Sequence, residues 1–196
     1  MVSTPDRLPA VSPPAGRIGA AAGPGIVLEL RRDVAVWRLC EPREPDGFHA
    51  AAEGQGRTLP REPNTVSAWD GAVALWVAPG EWFVVAEGDA VAADDLRALL
   101  AGPSGAVTDL SHARTVARIS GARADELIAK GCPLDLDPAR FPPGQCAQSV
   151  MSGVNVLLHK LDDRPSYDLY VMRSHAQHLW EWLLAAGAEF GIEIAP

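Results

Sequence analysis

The stretch Val107-Thr-Asp-Leu-Ser-His-Ala-Arg-Thr-Val-Ala-Arg-Ile-Ser-Gly121 decides the fold of this chain, together with the helical pattern that follows it. β-branched and aliphatic residues on either side of a polar joint predict two strands, at residues 106–110 and 115–119. The spacing of apolar residues then changes from strand-like to helix-like. We interpret this order as the centre of an α+β fold.

The helix after Gly121 has a well-marked end. Its apolar face is formed by Ala124, Leu127 and Ile128. Gly131 suits the left-handed position that follows a helix, and Pro133 cannot continue one. The sequence therefore predicts a helix that ends at Lys130.

Further strands and helices are predicted on both sides of this stretch. The predicted strands cover residues 26–30, 34–40, 73–77, 82–85, 147–151, 154–161, 167–171 and 192–194. Those at 26–30 and 34–40 are expected to form a hairpin with a charged tip. The predicted helices cover residues 48–53, a segment from the N-cap Asp89 to Leu100, and a segment from the capping box Ser174-His-Ala-Gln177 to about residue 186. Residues 54–70 are expected to be an extended surface loop.

The order strand, turn, strand, helix occurs twice, about eighty residues apart. It is marked by Leu75, Trp82 and Leu100 in the first copy and by Leu158, Tyr167 and Leu184 in the second. We expect a single α+β domain over residues 26–196, with two pseudo-duplicated split β-α-β (ferredoxin-like) halves at about 26–112 and 113–196. Residues 1–25 are expected to be a flexible tail.

Composition limits the classes of function. The chain has 196 residues, 47% of them hydrophobic, which is enough to bury a sizeable core. Its net charge of −8 disfavours nucleic acid and anionic membranes as partners, and with them an RNA-binding ferredoxin-like module. Three cysteines without a Cys-x-x-Cys pair indicate reduced thiols and a cytoplasmic protein. We expect neither a secretory signal nor a membrane-spanning run.

The polar joint of the opening stretch carries Asp109, Ser111, His112 and Arg114. Acid, hydroxyl and imidazole are the groups of a hydrolase triad, but an extended segment points Asp109 and Ser111 to one side and His112 to the other. No Gly-x-Ser-x-Gly elbow accompanies them. We therefore favour a structural role, with turn hydrogen bonds from Asp109 and Ser111 and an ion pair for Arg114.

The last predicted helix supports two hypotheses. His175, His178 and Glu181 recur every three residues, which suits either a metal site or a solvated helix face, and we favour the solvated face. The core side of this helix is formed by Leu179, Trp180, Leu183 and Leu184. That arrangement turns Trp182 outward beside His178, which indicates either a partner surface or an incidental exposed aromatic.

Two other features indicate neither a reactive thiol nor a phosphate-binding loop. Cys132 follows the negative end of a helix, which disfavours a thiolate, so we expect a buried small apolar side chain. The glycines of residues 16–25 follow no strand and lack the spacing of a phosphate-binding loop. We therefore expect no catalytic, metal or cofactor site in this chain.

Several motifs, taken in order, resemble a known family. They are Ala74-Leu-Trp-Val-Ala-Pro-Gly-Glu-Trp82, Asp109-Leu-Ser-His-Ala-Arg-Thr115, Lys130-Gly-Cys-Pro-Leu-Asp135, Phe141-Pro-Pro-Gly-Gln-Cys-Ala-Gln148 and His178-Leu-Trp-Glu-Trp182. Together they resemble the gamma subunit of heterotetrameric sarcosine oxidase over residues 64–191.

A more distant resemblance concerns the central stretch. Asp109-Leu-Ser-His112 followed by Ile119-Ser-Gly-Ala-Arg-Ala-Asp125 is similar to the opening of the folate-binding fold of the glycine-cleavage aminomethyltransferase. The resemblance implies a folate-binding, aminomethyltransferase-type domain. In that family a later hairpin holds a catalytic aspartate, whereas Val154-Asn-Val-Leu-Leu-His-Lys160 has aliphatic residues there. An aliphatic side chain cannot take a proton, which argues against aminomethyl transfer by this chain alone.

The first resemblance implies a complex that oxidises sarcosine with oxygen to glycine and hydrogen peroxide and passes the one-carbon unit to tetrahydrofolate. This chain would be a non-catalytic subunit beside alpha, beta and delta subunits, and those partners would carry FAD, FMN, NAD and tetrahydrofolate. The alternative is a free-standing folate-binding protein or aminomethyltransferase-like enzyme. The residues expected to contact partners are Trp182, His178, Arg114 and His112.

Overall fold

The computed structural model describes residues 15–19, 23–44, 47–88, 90–99 and 105–196. Its strands are β1 (Gly16–Ile18), β2 (Ile26–Arg31), β3 (Val34–Cys40), β4 (Val66–Trp69), β5 (Ala72–Ala78), β6 (Glu81–Glu87), β7 (Ala106–Asp109), β8 (Arg114–Ser120), β9 (Cys146–Met151), β10 (Val154–Lys160), β11 (Ser166–Met172) and β12 (Ile192–Ile194). Its α-helices are α1 (Phe48–Gly54), α2 (Ala93–Leu99), α3 (Ala124–Ala129) and α4 (Ala176–Gly187). The predicted α+β class is confirmed.

The described residues divide into two compact units. Unit 1 comprises residues 15–32, 112–143 and 148–196, and unit 2 comprises residues 33–111 and 144–147, within the described ranges. A sheet of seven described strands belongs mainly to unit 1, and a sheet of five belongs to unit 2.

The sheet of unit 1 has the strand order β1-β12-β2-β8-β11-β10-β9. β2, β8, β11 and β10 are joined by antiparallel ladders, and β12 runs parallel to β2. The register places Leu28 opposite Ile119 and Ile119 opposite Tyr167, and all three side chains are completely buried. Because directly opposed residues point to the same face, these three belong to one side of the sheet.

Helices α3 and α4 cover that side of the sheet. The Tyr167 hydroxyl reaches Asp125 of α3, and Gly187 of α4 lies against the side chains of Ile26 and Ile192. The helices contribute side chains with no exposed surface, namely Leu127, Ile128 and Leu183. Each such side chain stabilises the fold by about 1.5–3 kcal/mol relative to an exposed one.

Unit 2 is built on an antiparallel sheet with the strand order β4-β5-β6-β3-β7. β5 and β6 form the hairpin predicted around Pro79-Gly80. One face of the sheet packs with α1 and α2 into a core that includes Leu39, Phe48, Ala74, Trp82, Val84, Leu96 and Leu99. Three partly buried tryptophans, Trp37, Trp69 and Trp76, pack against this core.

The hairpin predicted from residues 26–30 and 34–40 is wrong, although both segments are strands. β2 pairs with β8 and β12, whereas β3 pairs with β6 and β7 in the other sheet. A short charged link suits a tight hairpin and a crossover between sheets equally well, and only the distant pairing partners distinguish them. The sheets consequently do not follow the expected halves 26–112 and 113–196, because β2 lies among the later strands.

Two segments expected to lack regular structure contain strands. Within the predicted surface loop 54–70, β4 pairs antiparallel with β5. Within the predicted tail 1–25, β1 pairs antiparallel with β12, and Arg17 lies 3.6 Å from Glu193. Both are short edge strands whose partners supply the pairing, so local pattern alone does not identify them. Residues 1–14 and 20–22 of the tail lie outside the described residues.

The last helix begins differently from the prediction. Arg173–His175 form a 3-10 turn, and α4 starts after His175, where the described residues supply no side-chain cap hydrogen bond. Gln177 instead donates to Glu181 at 2.6 Å, so the predicted capping box is wrong. The N-cap Asp89 and the helix residue Leu100 lie outside the described residues.

Candidate functional site

The polar joint of the central stretch is a hydrogen-bonded turn. The Asp109 carboxylate accepts from the Ser111 amide at 2.8 Å. The Ser111 hydroxyl, which is buried, accepts from the Val36 amide of β3 at 3.0 Å. This hydroxyl joins the turn to β3, so the predicted turn hydrogen bonds of Asp109 and Ser111 are present.

The motif around Pro79-Gly80 also acts in folding. Gly80 has φ of 70°, and a Cβ there would lie 2.6 Å from the Glu41 carboxylate. Glu81 accepts hydrogen bonds from Arg38 on the neighbouring strand at 2.6 and 3.1 Å. The indole of Trp82 donates to the Pro60 carbonyl at 2.7 Å, which ties the 57–60 segment to the sheet.

The motifs at 130–135 and 178–182 meet in unit 1. Gly131 lies against the ring of Trp182, because a Cβ on Gly131 would be 2.5 Å from that ring. The Gly131 carbonyl accepts from the Ser152 amide at 3.1 Å, and His178 Nε2 lies 3.1 Å from the Ser152 carbonyl oxygen. The end of α3, the β9–β10 turn and α4 are therefore joined at one place.

This joint revises the expected orientation of Trp182. The side chain is partly buried over Gly131 rather than directed away from the unit, while His178 remains exposed. The other two expected partner residues lie at the start of β8, where His112 is exposed and Arg114 is partly buried.

Lys130 strengthens the same joint. Its ammonium donates to the Ala186 carbonyl at 2.5 Å and to the carboxylate of Glu189, and it lies 4.3 Å from the centre of the Phe190 ring. Cations near the C-terminal end of a helix also interact favourably with its dipole, here that of α4. The lysine thus fastens the end of α3 to the end of α4.

A row of charged side chains crosses the other face of the unit 1 sheet. The register places Glu29 opposite Arg118, Arg118 opposite Asp168, and Asp168 opposite His159. Arg118 donates two hydrogen bonds to the buried Asp168 carboxylate, at 2.7 and 2.9 Å, and this pairing raises the pKa of Arg118. Arg31 lies 3.9 Å from Asp168 and 3.2 Å from Glu29.

His159 ends this row. The side chain is 6% exposed, and its Nδ1 has no hydrogen-bond partner among the described residues. Burial lowers the pKa of His159 to about 4, with Asp168 opposing the shift and Arg118 adding to it. The imidazole is therefore neutral at pH 7.

Sequence reasoning missed this row. Its members come from four strands, and 89 positions separate Glu29 from Arg118 and 50 separate Arg118 from Asp168, so no local motif unites the row. One signal was present: Asp168 is a single carboxylate within the apolar strand of residues 167–171. A buried carboxylate is costly unless it is paired, which predicts a cationic neighbour without identifying it.

A second polar cluster lies on the helix-covered face. Lys160 is 3% exposed, and its ammonium donates to the Tyr167 hydroxyl and to the Arg164 carbonyl, each at 2.9 Å. The Tyr167 hydroxyl donates to Asp125 at 2.5 Å. Burial, followed by this contact with Asp125, raises the pKa of Tyr167. The cluster links β10 and β11 to α3.

This arrangement bears on the missing aspartate of the aminomethyltransferase family. In β10 the aliphatic side chains Val154, Val156 and Leu158 are buried. The two ionisable residues of the strand, His159 and Lys160, are buried in the contacts described above. The strand therefore supplies packing and ties between elements.

The three thiols are not paired as disulfides. Cys132 is buried, as predicted, and its sulfur lies 3.4 Å from the Ser149 hydroxyl. Cys146 has no exposed surface, its sulfur lies 3.4 Å from the Trp76 carbonyl oxygen, and burial raises its pKa to about 12. Burial also raises the pKa of Cys40.

Within the described ranges, no group of three or more His, Cys, Asp or Glu side chains is placed to hold a metal ion. Of the helices in those ranges, none has the length and apolarity required to span a bilayer.

Comparisons with known proteins agree with these motifs. The model of the sarcosine oxidase gamma subunit family matches residues 43–189. The chain is 34% identical to the sarcosine oxidase subunit gamma of Corynebacterium sp. (strain P-1), over 75% of this chain and 72% of that protein. It is 31% identical to the subunit gamma of Arthrobacter sp., over 88% of this chain and 84% of that protein.

Solved structures give the same result. A chain of the heterotetrameric sarcosine oxidase from Corynebacterium sp. U-96 matches with a TM-score of 0.78 and 28% identity, over 86% of this chain and 87% of that one. Aminomethyltransferase T of the Bartonella henselae glycine cleavage system matches 88% of this chain and 48% of its own, with a TM-score of 0.63 and 14% identity, and so shares the fold. The chain belongs to the sarcosine oxidase gamma subunit family.

Proposed function

We propose that this chain is the non-catalytic gamma subunit of a heterotetrameric sarcosine oxidase. The observation that carries the proposal is the match of the family model to residues 43–189, on a fold that follows a chain of the heterotetrameric enzyme with a TM-score of 0.78. The likeness extends over most of both chains, so it concerns a whole subunit rather than a shared motif.

The contacts of the polar residues support a structural role for this subunit. The Ser111 hydroxyl is engaged with the backbone of β3, and Asp109 with the amide of Ser111. Lys160 is held by Tyr167 and by the Arg164 carbonyl. Groups that would otherwise be candidates for proton transfer are thus occupied in holding elements together, and we assign the chemistry to partner subunits.

The reaction we assign to the complex is oxidative demethylation of sarcosine. Oxygen accepts the electrons as hydrogen peroxide, glycine is released, and tetrahydrofolate accepts the one-carbon unit. We place FAD, FMN, NAD and tetrahydrofolate in partner subunits of the alpha, beta and delta types, and the complex in the cytoplasm. The three unpaired thiols suit a reducing compartment.

A finer proposal concerns the origin of the fold. Unit 2 runs β3-α1-β4-β5-β6-α2-β7, and the later part of the chain runs β8-α3-β9-β10-β11-α4-β12. The sheet orders β4-β5-β6-β3-β7 and β9-β10-β11-β8-β2 correspond strand by strand, except that β2 occupies the place of the last strand. We propose a duplicated β-α-β-β-β-α-β element, which adds one strand to the split β-α-β pattern of a ferredoxin-like half.

Purification of the tagged chain from its native cells tests the subunit proposal. Yellow, flavin-bearing partners should accompany the chain, and mass spectrometry should identify them as sarcosine oxidase subunits. A tagged unrelated protein from the same cells serves as the control. Recovery of a colourless chain without these subunits would refute the proposal.

The free-standing folate-binding alternative rests on the shared aminomethyltransferase fold. Titration of tetrahydrofolate into the isolated chain separates the two proposals. We expect no saturable binding, since the folate site is assigned to a partner. Tight binding together with one-carbon transfer by the isolated chain would favour the alternative.

A further inference from the structure

Two large apolar side chains of the described residues are exposed, and both lie on the sheet of unit 1. Val150 of β9 is 43% exposed, and Met172 of β11 is 48% exposed. Single exposed apolar residues are ordinary, but two on one sheet raise the question of whether they share a face.

Contacts of neighbouring residues show which face of the sheet Val150 and Met172 occupy. Ser149 reaches Cys132, which follows α3, so Ser149 points to the helix-covered side and the next residue, Val150, points away from it. Tyr167 reaches Asp125 of α3, so Met172, five residues later in the same strand, also points away from the helices. Val150 and Met172 therefore project from the same face, opposite α3 and α4.

The two side chains also lie at the same end of the sheet. Ser152 and Gly153 have φ of 51° and 81°, as in a two-residue hairpin turn, which sets Val150 opposite Asn155. The β10–β11 register, continued by one pair beyond Val156 and Val171, sets Asn155 opposite Met172. Val150 and Met172 are thus two strand spacings apart, roughly 10 Å.

Basic and histidine residues lie next to Met172 in the sequence and in the ladder. Arg114 lies directly opposite Met172 in the ladder, and the Arg173 amide donates to the Ala113 carbonyl at 2.9 Å. The stretches 112–114 and 172–175 contain two arginines and two histidines but no acidic residue, in a chain of net charge −8. These two stretches are therefore basic in composition.

We infer that this surface, formed by Val150, Asn155, Met172, Arg114, Arg173 and the adjacent His112 and His175, is the docking surface for another subunit of the sarcosine oxidase complex. The inference rests on the proposed function. The partner presents an apolar patch that covers Val150 and Met172, flanked by a carboxylate that faces Arg173. Two of the four residues expected from the sequence, His112 and Arg114, belong to this surface.

A second copy of this chain fits the surface less well. A symmetric contact would bring the same patch of each copy together, so Arg173 of one copy would approach Arg173 of the other. Like charges at an interface disfavour association, whereas an acidic rim on a different subunit would complement them. Charge therefore favours a different chain as the occupant.

The test is recovery of oxidase subunits with tagged variants in native cells. Met172→Asp and Val150→Asp place a carboxylate in the apolar centre, and we expect each to lower the recovery of mass-spectrometrically identified oxidase subunits by about tenfold or more. Arg173→Glu should lower recovery and reverse its dependence on salt. Ala122→Asp, an exposed position beyond the opposite end of β8, is the matched control and should behave like the unaltered chain.

The outcomes separate the two proposals. If the unaltered chain recovers oxidase subunits and Met172→Asp, Val150→Asp and Arg173→Glu recover as much, the docking surface is wrong and the subunit assignment stands. If the unaltered chain recovers none, the subunit assignment fails, and the docking inference fails with it. A dimer of the isolated chain that Met172→Asp abolishes would assign the surface to a second copy instead. Circular dichroism of each variant identifies loss of folding, and Arg173→Glu keeps the inference testable if an apolar variant unfolds.

Discussion

At the scale of the residue, unit 1 depends on buried ionisable groups on its sheet. Asp168 is buried and accepts hydrogen bonds from Arg118 at both of its carboxylate oxygens, and His159 is buried and neutral beside it. The neutral state of His159 stabilises the fold only over a range of pH. We can therefore predict whether a substitution at these positions raises or lowers the free energy of unfolding.

Acid should destabilise the protein through His159. Its pKa falls from about 6.5 in the unfolded chain to about 4 in the folded protein, so the unfolded state binds the proton more readily between these values. The stabilisation is complete above pH 6.5 and is lost as the pH falls towards 4, by up to about 1.4 kcal/mol per pH unit. Urea unfolding of His159→Gln at several pH values should show a shallower pH dependence than the unaltered protein. His175→Gln, at an exposed position, should leave the dependence unchanged, and equal slopes for His159→Gln and the unaltered protein would contradict the prediction.

Removal of the Asp168 charge should destabilise the protein, because it leaves the cation of Arg118 without its carboxylate. Asp168→Asn leaves the Arg118 guanidinium partly buried without its carboxylate, and we expect a loss of roughly 2–4 kcal/mol in the free energy of unfolding. The double variant Asp168→Leu, Arg118→Met should recover part of this loss, because apolar side chains need no partner. Asp94→Asn, which affects an exposed pair with Arg97, should leave denaturant unfolding nearly unchanged. A double variant less stable than Asp168→Asn would argue against this explanation.

At the scale of the element, the close contact between the end of α3 and α4 is possible because Gly131 has no side chain. Trp182 rests on Gly131, where no Cβ intervenes. Sequence reasoning explained Gly131 by the left-handed conformation that often ends a helix, yet its φ is not positive in the structure. The glycine is required by the aromatic ring above it, a contact between residues 51 positions apart that helix-end rules do not include.

Gly131→Ala should therefore destabilise unit 1. The added Cβ would lie 2.5 Å from the indole of Trp182, and overpacking of this kind costs about 1–3 kcal/mol. Trp182→Leu should largely remove the penalty of Gly131→Ala, which a double-mutant cycle would measure as coupling between the two positions. Gly54→Ala is the control, since open space surrounds that position and alanine favours a helix. Additive effects of Gly131→Ala and Trp182→Leu would show that the contact is not the cause.

At the scale of the whole molecule, the free thiols report on the opening of each unit. Cys132 lies in unit 1 and Cys146 in unit 2, and both are buried, whereas Cys40 is partly exposed. The raised pKa of Cys146 further slows its reaction, because the thiolate is the reactive form.

Thiol labelling in a urea series should follow this order. We expect Cys40 to react first in the native protein, and Cys132 and Cys146 to react only as their units open. Mass spectrometry of digested samples would give the labelled fraction at each site, and Cys40→Ser would serve to follow the two buried thiols alone. Rapid labelling of Cys146 without denaturant would contradict its burial.

Much of the element order was predictable because it follows from local patterns. The hairpins at β5–β6 and β9–β10 have their turn residues between two apolar strands, and α3 has its apolar face and its stop signals within ten residues. The edge strands β1 and β4 were not predictable in this way. They are short, and strands elsewhere in the chain supply their pairing.

The sequence by itself determined the α+β class, the position of the central stretch, the absence of a strong basic charge, and the motifs that place the chain in the gamma subunit family. The tertiary structure alone decided that β2 and β3 belong to different sheets, that Glu29, Arg118, Asp168 and His159 form one row, and that Val150 and Met172 share one face. The physical reason is range. Turns, caps and periodicity act between residues a few positions apart, whereas strand pairing brings together side chains such as Glu29 and Arg118, which are 89 positions apart in the chain.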